Sequence, residues 1–330
     1  MTATAINAVP ATPAPSPATG ADADLATTAL PLSRWGRWWF APESPLNLGI
    51  CRVLFFGAEF LYHLPVRFDA WGGVPGALFR PVWIFERLHV SVLPTTALLV
   101  VEIIWKLSLL LACIGLLTRA ATAVAAVGAL YLIGVTFSFG KVFHVGSIIV
   151  FTMGILAFSR SGDGLSVDAL LRRRRGLPPA APSGEYRWPV RMVWVLVSVL
   201  FFNAGMAKVI RGGLDWVTSE NMAVLMTQRH YMNADSLPAL NWGLFVSQHR
   251  PLYVLFAAAS VLAEVFCFLA LFVRYPWRLV LPAILFGMQI GIGLFMRVWF
   301  TPYMIVYLFW VPWGDVARWL AGRRKRPAAA

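Results

Sequence analysis

Acidic residues are scarce in this chain. Fifteen aspartates and glutamates stand against 28 lysines and arginines, giving a net charge of +13 over 330 residues. Cysteine is scarcer still: Cys51, Cys113 and Cys267 lie singly inside apolar runs. Without a Cys-x-x-Cys spacing neither a redox pair nor a zinc site is indicated, and a lone buried cysteine behaves as a small hydrophobe. No His-x-x-x-His pair occurs, so no metal centre is expected. A phosphate-cradling glycine loop and a Gly-x-Ser-x-Gly elbow are also missing. Hydrophobic alternation of the kind that marks a membrane barrel is absent.

Long apolar runs are what the chain does have. It is 59% hydrophobic and 14% aromatic, with a mean hydropathy of +0.69. Ordinary soluble domains are about 45–50% apolar. Continuous runs in lipid must be helical to satisfy their backbone, so the expected class is all-α, a polytopic integral membrane bundle. Apolar segments fall at 46–64, 93–117, 120–139, 143–159, 189–210, 252–273, 278–296 and 298–313. Most approach the ~20 residues a span requires; the fourth and the last are short. About eight transmembrane helices are expected. Residues 1–33, rich in Ala, Thr and Pro, form an expected disordered tail with no signal-peptide pattern. The membrane domain is expected at 34–313, and residues 314–330 are expected to form a basic cytoplasmic tail.

The positive charge sorts by side. With the amino terminus inside, seventeen of the 28 lysines and arginines fall in cytoplasmic segments, eight outside and three within spans. The positive-inside rule therefore places both termini in the cytoplasm and the protein in the inner membrane. The same clustering in short loops argues against nucleic acid as a partner and for membrane lipids. Arg172 to Arg175 read as an anchor against anionic lipid. Two outer segments, 65–92 and 211–251, are long enough to act as a cap.

Charges inside spans are costly and are functional candidates. Arg52 and Glu59 share one helical face and are expected to pair, as are Glu102 and Lys106. Glu264 has no partner within its own span. Lys208 closes the run Phe202-Asn203-Ala204-Gly205-Met206-Ala207-Lys208, shortly before Gly212-Gly213 and an interfacial Trp216. Two readings stand for it: an ammonium snorkelling to the interface, or a base in an outward-facing apolar cavity. His144, opening the fourth run, falls at similar expected depth and is its candidate orienter. The candidate site is thus Lys208 and His144 for catalysis, with Trp216, Asn203 and Glu264 for binding.

Four pieces stand in order along the chain: Gly115-Leu116-Leu117-Thr118-Arg119, Phe143-His144, the stretch Phe158-Ser159-Arg160-Ser161-Gly162-Asp163-Gly164-Leu165-Ser166-Val167-Asp168, and Phe202 to Val209 with Trp216 behind. Taken together, they resemble the HTTM (horizontally transferred transmembrane) domain shared by bacterial membrane proteins and the vitamin K-dependent gamma-carboxylase. The resemblance implies a lysine base, matching Lys208, that deprotonates reduced vitamin K or another hydroquinone, with a helping histidine matching His144. It also implies a carboxylation (lyase) reaction on a peptide or protein substrate. About 17 residues follow the last apolar run, with no counterpart of the carboxylase's lumenal portion, which bears against peptide carboxylation more than against hydroquinone chemistry. The alternative expectation is a non-enzymatic subunit that binds lipid or quinone or partners a secreted peptide system, with Lys208 paired to Glu264 or to a lipid phosphate. A transporter ranks below both, since no inverted repeat stands out.

Overall fold

The structure, a computed structural model, describes residues 33–140, 142, 144–232 and 242–324, with backbone alone for His144 and 321–324. Among them the chain is all-α with no strand; a lone antiparallel bridge joins Glu43 and Ser183. Helix α1 (Arg34–Phe40) opens the described residues, and the chain divides into a first unit ending at Trp38 and a second beginning at Trp39. The second unit contains everything that follows.

Its helices are α2 (Pro45–His63), α3 (Trp83–Leu88), α4 (Thr95–Ile114), α5 (Thr118–Ser138), α6 (His144–Ala157), α7 (Val167–Arg174) and α8 (Trp188–Gly212). They continue with α9 (Asp215–Thr218), α10 (Asn221–Met232), α11 (Trp242–Ser247), α12 (Arg250–Phe266), α13 (Val280–Met296) and α14 (Trp313–Arg324). Their starts follow local chemistry. Ser44 caps α2 by accepting from the Leu46 amide at 3.3 Å, with Pro45 in the first turn. Ser166 caps α7 through the Ala169 amide at 2.9 Å. An N-cap hydroxyl satisfies an amide that the helix leaves open, and proline fits where no amide is needed.

Five helical stretches are long and apolar enough to cross a membrane: Thr95–Ile114, Thr118–Ser138, Gly184–Gly212, Arg250–Leu271 and Trp277–Met296. The expected eight are therefore not all of one kind. Helix α6 is apolar, but its 14 residues reach only about 21 Å. Helix α2 has 19 residues but carries Arg52, Glu59 and His63 among its buried side chains. The last apolar run, 298–313, is not a span-length helix at all; it is irregular until a 3-10 helix at Tyr303–Trp310. That stretch nonetheless retraces α13. Trp310 stacks on Trp194 at 5.5 Å, and the Arg278 guanidinium, near the start of α13, lies 4.9 Å from the same Trp194 ring. The Trp313 amide then donates to Asn47 Oδ1 in the first turn of α2 at 2.9 Å. The expected basic tail at 314–330 begins instead as α14; residues 1–32 and 325–330 lie outside the described residues.

One core runs through the packed helices, with Phe55, Trp105, Leu109, Ile148, Val197 and Phe309 among its buried members. A second cluster of Met222, Met226, Val246, Tyr253 and Ala257 joins α10 and α11 to the first half of α12. The long segment 211–251 thus packs as helices against α12 and α13, apart from residues 233–241, which lie outside the described residues.

Candidate functional site

Helices α8 and α12 run antiparallel and touch where Gly205 sits. A Cβ on Gly205 would lie 2.9 Å from both Glu264 Cβ and the Val265 amide nitrogen, so only glycine permits this approach. Below it, Phe202 meets Phe268 edge-on at 5.6 Å, and the Cys267 thiol donates to the Ser198 carbonyl at 3.2 Å. One turn above Gly205, Lys208 reaches Glu264. Its Nζ lies 2.6 Å from Oε1 and 2.5 Å from Oε2, with the lysine side chain 23% and the glutamate 7% exposed.

Trp216 covers the pair. Helix α8 stops at Gly213, whose φ of +53° with ψ of −140° suits glycine alone. The chain then turns back into α9, and the Lys208 Nζ lies 5.6 Å from the Trp216 ring centre, within cation–π range. The buried Trp216 Nε1 has no hydrogen-bond partner among the described residues. Glu264 lies about 21 Å along α12 from Arg250. The first half of α12 extends past the end of α8 and is sheathed by α9, α10 and α11.

Further buried polar side chains stand near this pair. The Gln289 amide on α13 donates to the Tyr303 hydroxyl, and both are buried, with Tyr307 one turn further along the returning stretch. Tyr303 lies within electrostatic reach of Glu264, and Tyr307 within reach of Tyr303 and Cys267. Sequence reasoning singled out none of Gln289, Tyr303 or Tyr307. A glutamine inside an apolar run, and two tyrosines four apart in the next, are the signals that point to them.

Of the residues expected at the site, Lys208, Glu264 and Trp216 come together. Asn203 does not join them: it lies on the exposed side of α8, and its amide donates to Val199 O one turn back at 2.9 Å. His144 opens α6, but its side chain lies outside the described residues, and so does its expected meeting with Lys208.

The other charges on apolar helices sort differently. Glu102 and Lys106 pair at 2.6 Å, as their spacing predicts, and also tie down the start of the 65–92 segment. Glu102 accepts from the Phe68 and Asp69 amides at 2.7 and 3.1 Å, while Lys106 donates to the Val66 carbonyl at 2.7 Å. Arg52 and Glu59 do not pair, contrary to expectation. The fully buried Arg52 guanidinium donates to the carbonyls of Ala112, Cys113, Ser161 and Leu165. Four carbonyls at the end of α4 and in the 161–165 turn offer it more acceptors than one carboxylate does. Glu59 has His63 beside it instead, with Nδ1 at 3.3 Å from Oε2.

The 115–119 turn and the 158–168 stretch interlock. Asp168 accepts from the Leu117 amide at 3.0 Å and from the Thr118 amide and hydroxyl, each at 2.7 Å, capping α5. Burial alone would raise the Asp168 pKa, but these hydrogen bonds and the Arg52 charge outweigh it and hold the carboxyl below the usual aspartate range. Both stretches thus have a structural reason for their residues that requires no chemistry. Among the described residues no cluster of three or more His, Cys, Asp or Glu side chains is placed to hold a metal.

Comparison with family models, with curated proteins and with solved structures gives no match.

Proposed function

We propose that this is an integral protein of the inner membrane in which the Lys208–Glu264 pair binds the polar head of a lipid-soluble ligand, a quinone or a lipid. The observation that carries this reading is the two-oxygen contact between Lys208 and Glu264, made by two helices apolar enough to span a membrane. Charges at such depth are expensive, and a pair kept there marks a ligand or ion site by default. Beside the pair, Trp216 Nε1 is a buried donor without an acceptor, suited to a ligand carbonyl or hydroxyl. Two features support eight crossings with both termini in the cytoplasm: the 298–313 stretch returns along α13, and the arginine-rich loops gather at one end.

The close contact also favours a second reading, the hydroquinone chemistry that the HTTM and gamma-carboxylase resemblance implies. A bound hydroquinone would supply an acidic hydroxyl and reducing power toward oxygen. A lysine ammonium donates hydrogen bonds and has no lone pair to act as a base. Passing its proton to Glu264, 2.5 Å away, would leave the amine free to take one from the ligand. Glu264 then stands in the partner's place that the resemblance gives to His144.

The test is mass spectrometry of the lipid extracted from detergent-purified protein, for wild type, Lys208→Ala and Glu264→Gln. Stoichiometric quinone in the wild type, lost from both variants, is expected. Bound quinone that survives in both folded variants, or phospholipid alone in all three, would overturn the ligand site. Oxygen consumption with a supplied hydroquinone, present in the wild type and absent from Lys208→Ala, separates the second reading from the first.

A further inference from the structure

At the arginine-rich end of the second unit a cavity of about 450 Å³ opens between the first turn of α2, the Asp163–Ser166 turn and α7. This volume lies within the ~300–1,000 Å³ range of small-ligand pockets. It is separate from the Lys208 site, and no step discussed above uses it.

Its walls are of two kinds. Arg172 and Arg173 supply positive charge. Asp163, the carboxylate in the wall, is already shared: it accepts from Arg172 Nη1 at 2.9 Å and from the Tyr186 hydroxyl at 2.9 Å, and pairs with Arg160 Nε at 2.9 Å. That one carboxylate is therefore already taken by two guanidiniums and a hydroxyl, and Arg173 has no carboxylate partner among the described residues. The opening turn of α2 adds the positive end of a 19-residue helix. The opposite character comes from leucines. Leu165 and Leu170 line the cavity at 54% and 49% exposure, and Leu171 and Leu177 stand exposed beside them.

A free inorganic anion would use the arginines and leave the leucines uncovered in water. An amphiphile uses both. Helix α7, with leucines next to the Arg172–Arg175 run, is built to lie at a membrane surface, and the inner leaflet is where anionic lipid meets such segments. We propose that this cavity holds the phosphate headgroup of an anionic phospholipid of the inner leaflet. Arg172 and Arg173 take the phosphate, and Leu165 and Leu170 cover the start of the acyl chains.

The experiment is thermal unfolding of the full-length protein in non-ionic detergent, titrated with phosphatidylglycerol, phosphatidylcholine or inorganic phosphate. A ligand that binds only the folded state raises the melting temperature with its concentration. Phosphatidylglycerol is expected to give a saturating rise, and the other two none. Arg173→Gln, at an exposed position, should fold as wild type and need about fivefold more phosphatidylglycerol for half the rise. Arg174→Gln and Arg175→Gln, outside the cavity, should leave the titration unchanged. An equal rise with inorganic phosphate would overturn the lipid as occupant. Equal losses in all three arginine variants would overturn the cavity in favour of diffuse surface attraction.

Discussion

Lys208 and Glu264 test how a charged pair is valued inside an apolar bundle. Removing one partner of a buried pair strands the other, at a cost of about 3–5 kcal/mol, whereas replacing both by apolar side chains of similar volume is often neutral. Lys208→Met and Glu264→Leu alone should therefore each lower the unfolding temperature in detergent, and the double variant should recover most of the loss. Ligand binding separates structure from function at this point. A double variant that is stable yet has lost its quinone or lipid would place the pair in the site. One that is stable and still fully loaded would make the pair structural. Gly205 is the silent member of the set, since with a side chain there α8 and α12 could not bring the two charges into contact.

At the scale of elements, the fold is held by polar clamps at helix ends as much as by apolar faces. Arg52 closes the end of α4 and Asp168 the start of α5, and both reach the same 158–168 stretch. Asp168 gives this clamp a pH dependence with a definite sign. Its folded-state pKa is depressed, so its stabilisation is fully present above the ordinary aspartate value near ~3.9 and is lost as pH falls through the folded value. Melting temperatures measured from pH 6 down to pH 3 should fall more steeply for wild type than for Asp168→Asn. Parallel curves would mean that the cap does not titrate as the geometry implies. The Glu102–Lys106 pair makes another clamp midway along α4, fixing the start of the 65–92 segment to that helix.

The whole molecule makes a prediction about sides. The proposed eight crossings with cytoplasmic termini would put the α9–α10 connection outside and α7 inside. Glu220→Cys should react with a membrane-impermeant maleimide in intact cells, and Arg174→Cys only after lysis. The native cysteines, buried or half-buried, set a low background. The reverse pattern would invert the topology and move the Lys208 pair to the other half of the membrane.

Sequence alone determined what depends on composition and local pattern. A chain this apolar, with its positive charge confined to short connections, has few ways to satisfy its backbone other than by helices. The Glu102–Lys106 pairing followed from a four-residue spacing within one helix. Lys208, Glu264 and Trp216 were legible as candidates because charge and aromatic residues stand out in apolar runs. Tertiary structure decided every relation between distant segments. The partner of Lys208 lies 56 residues away on another helix, and a glycine's close approach selects it. Arg52 turned from the carboxylate on its own helix to four carbonyls, because helix ends converge there and hydrogen-bond acceptors accumulate. The last apolar run returns along α13 without a span-length helix, its Trp194 and Asn47 contacts fixing a path that hydropathy cannot see. Spacing along a chain specifies neighbours within one element; which elements meet is set by packing across the bundle, and the candidate site lies at such a meeting.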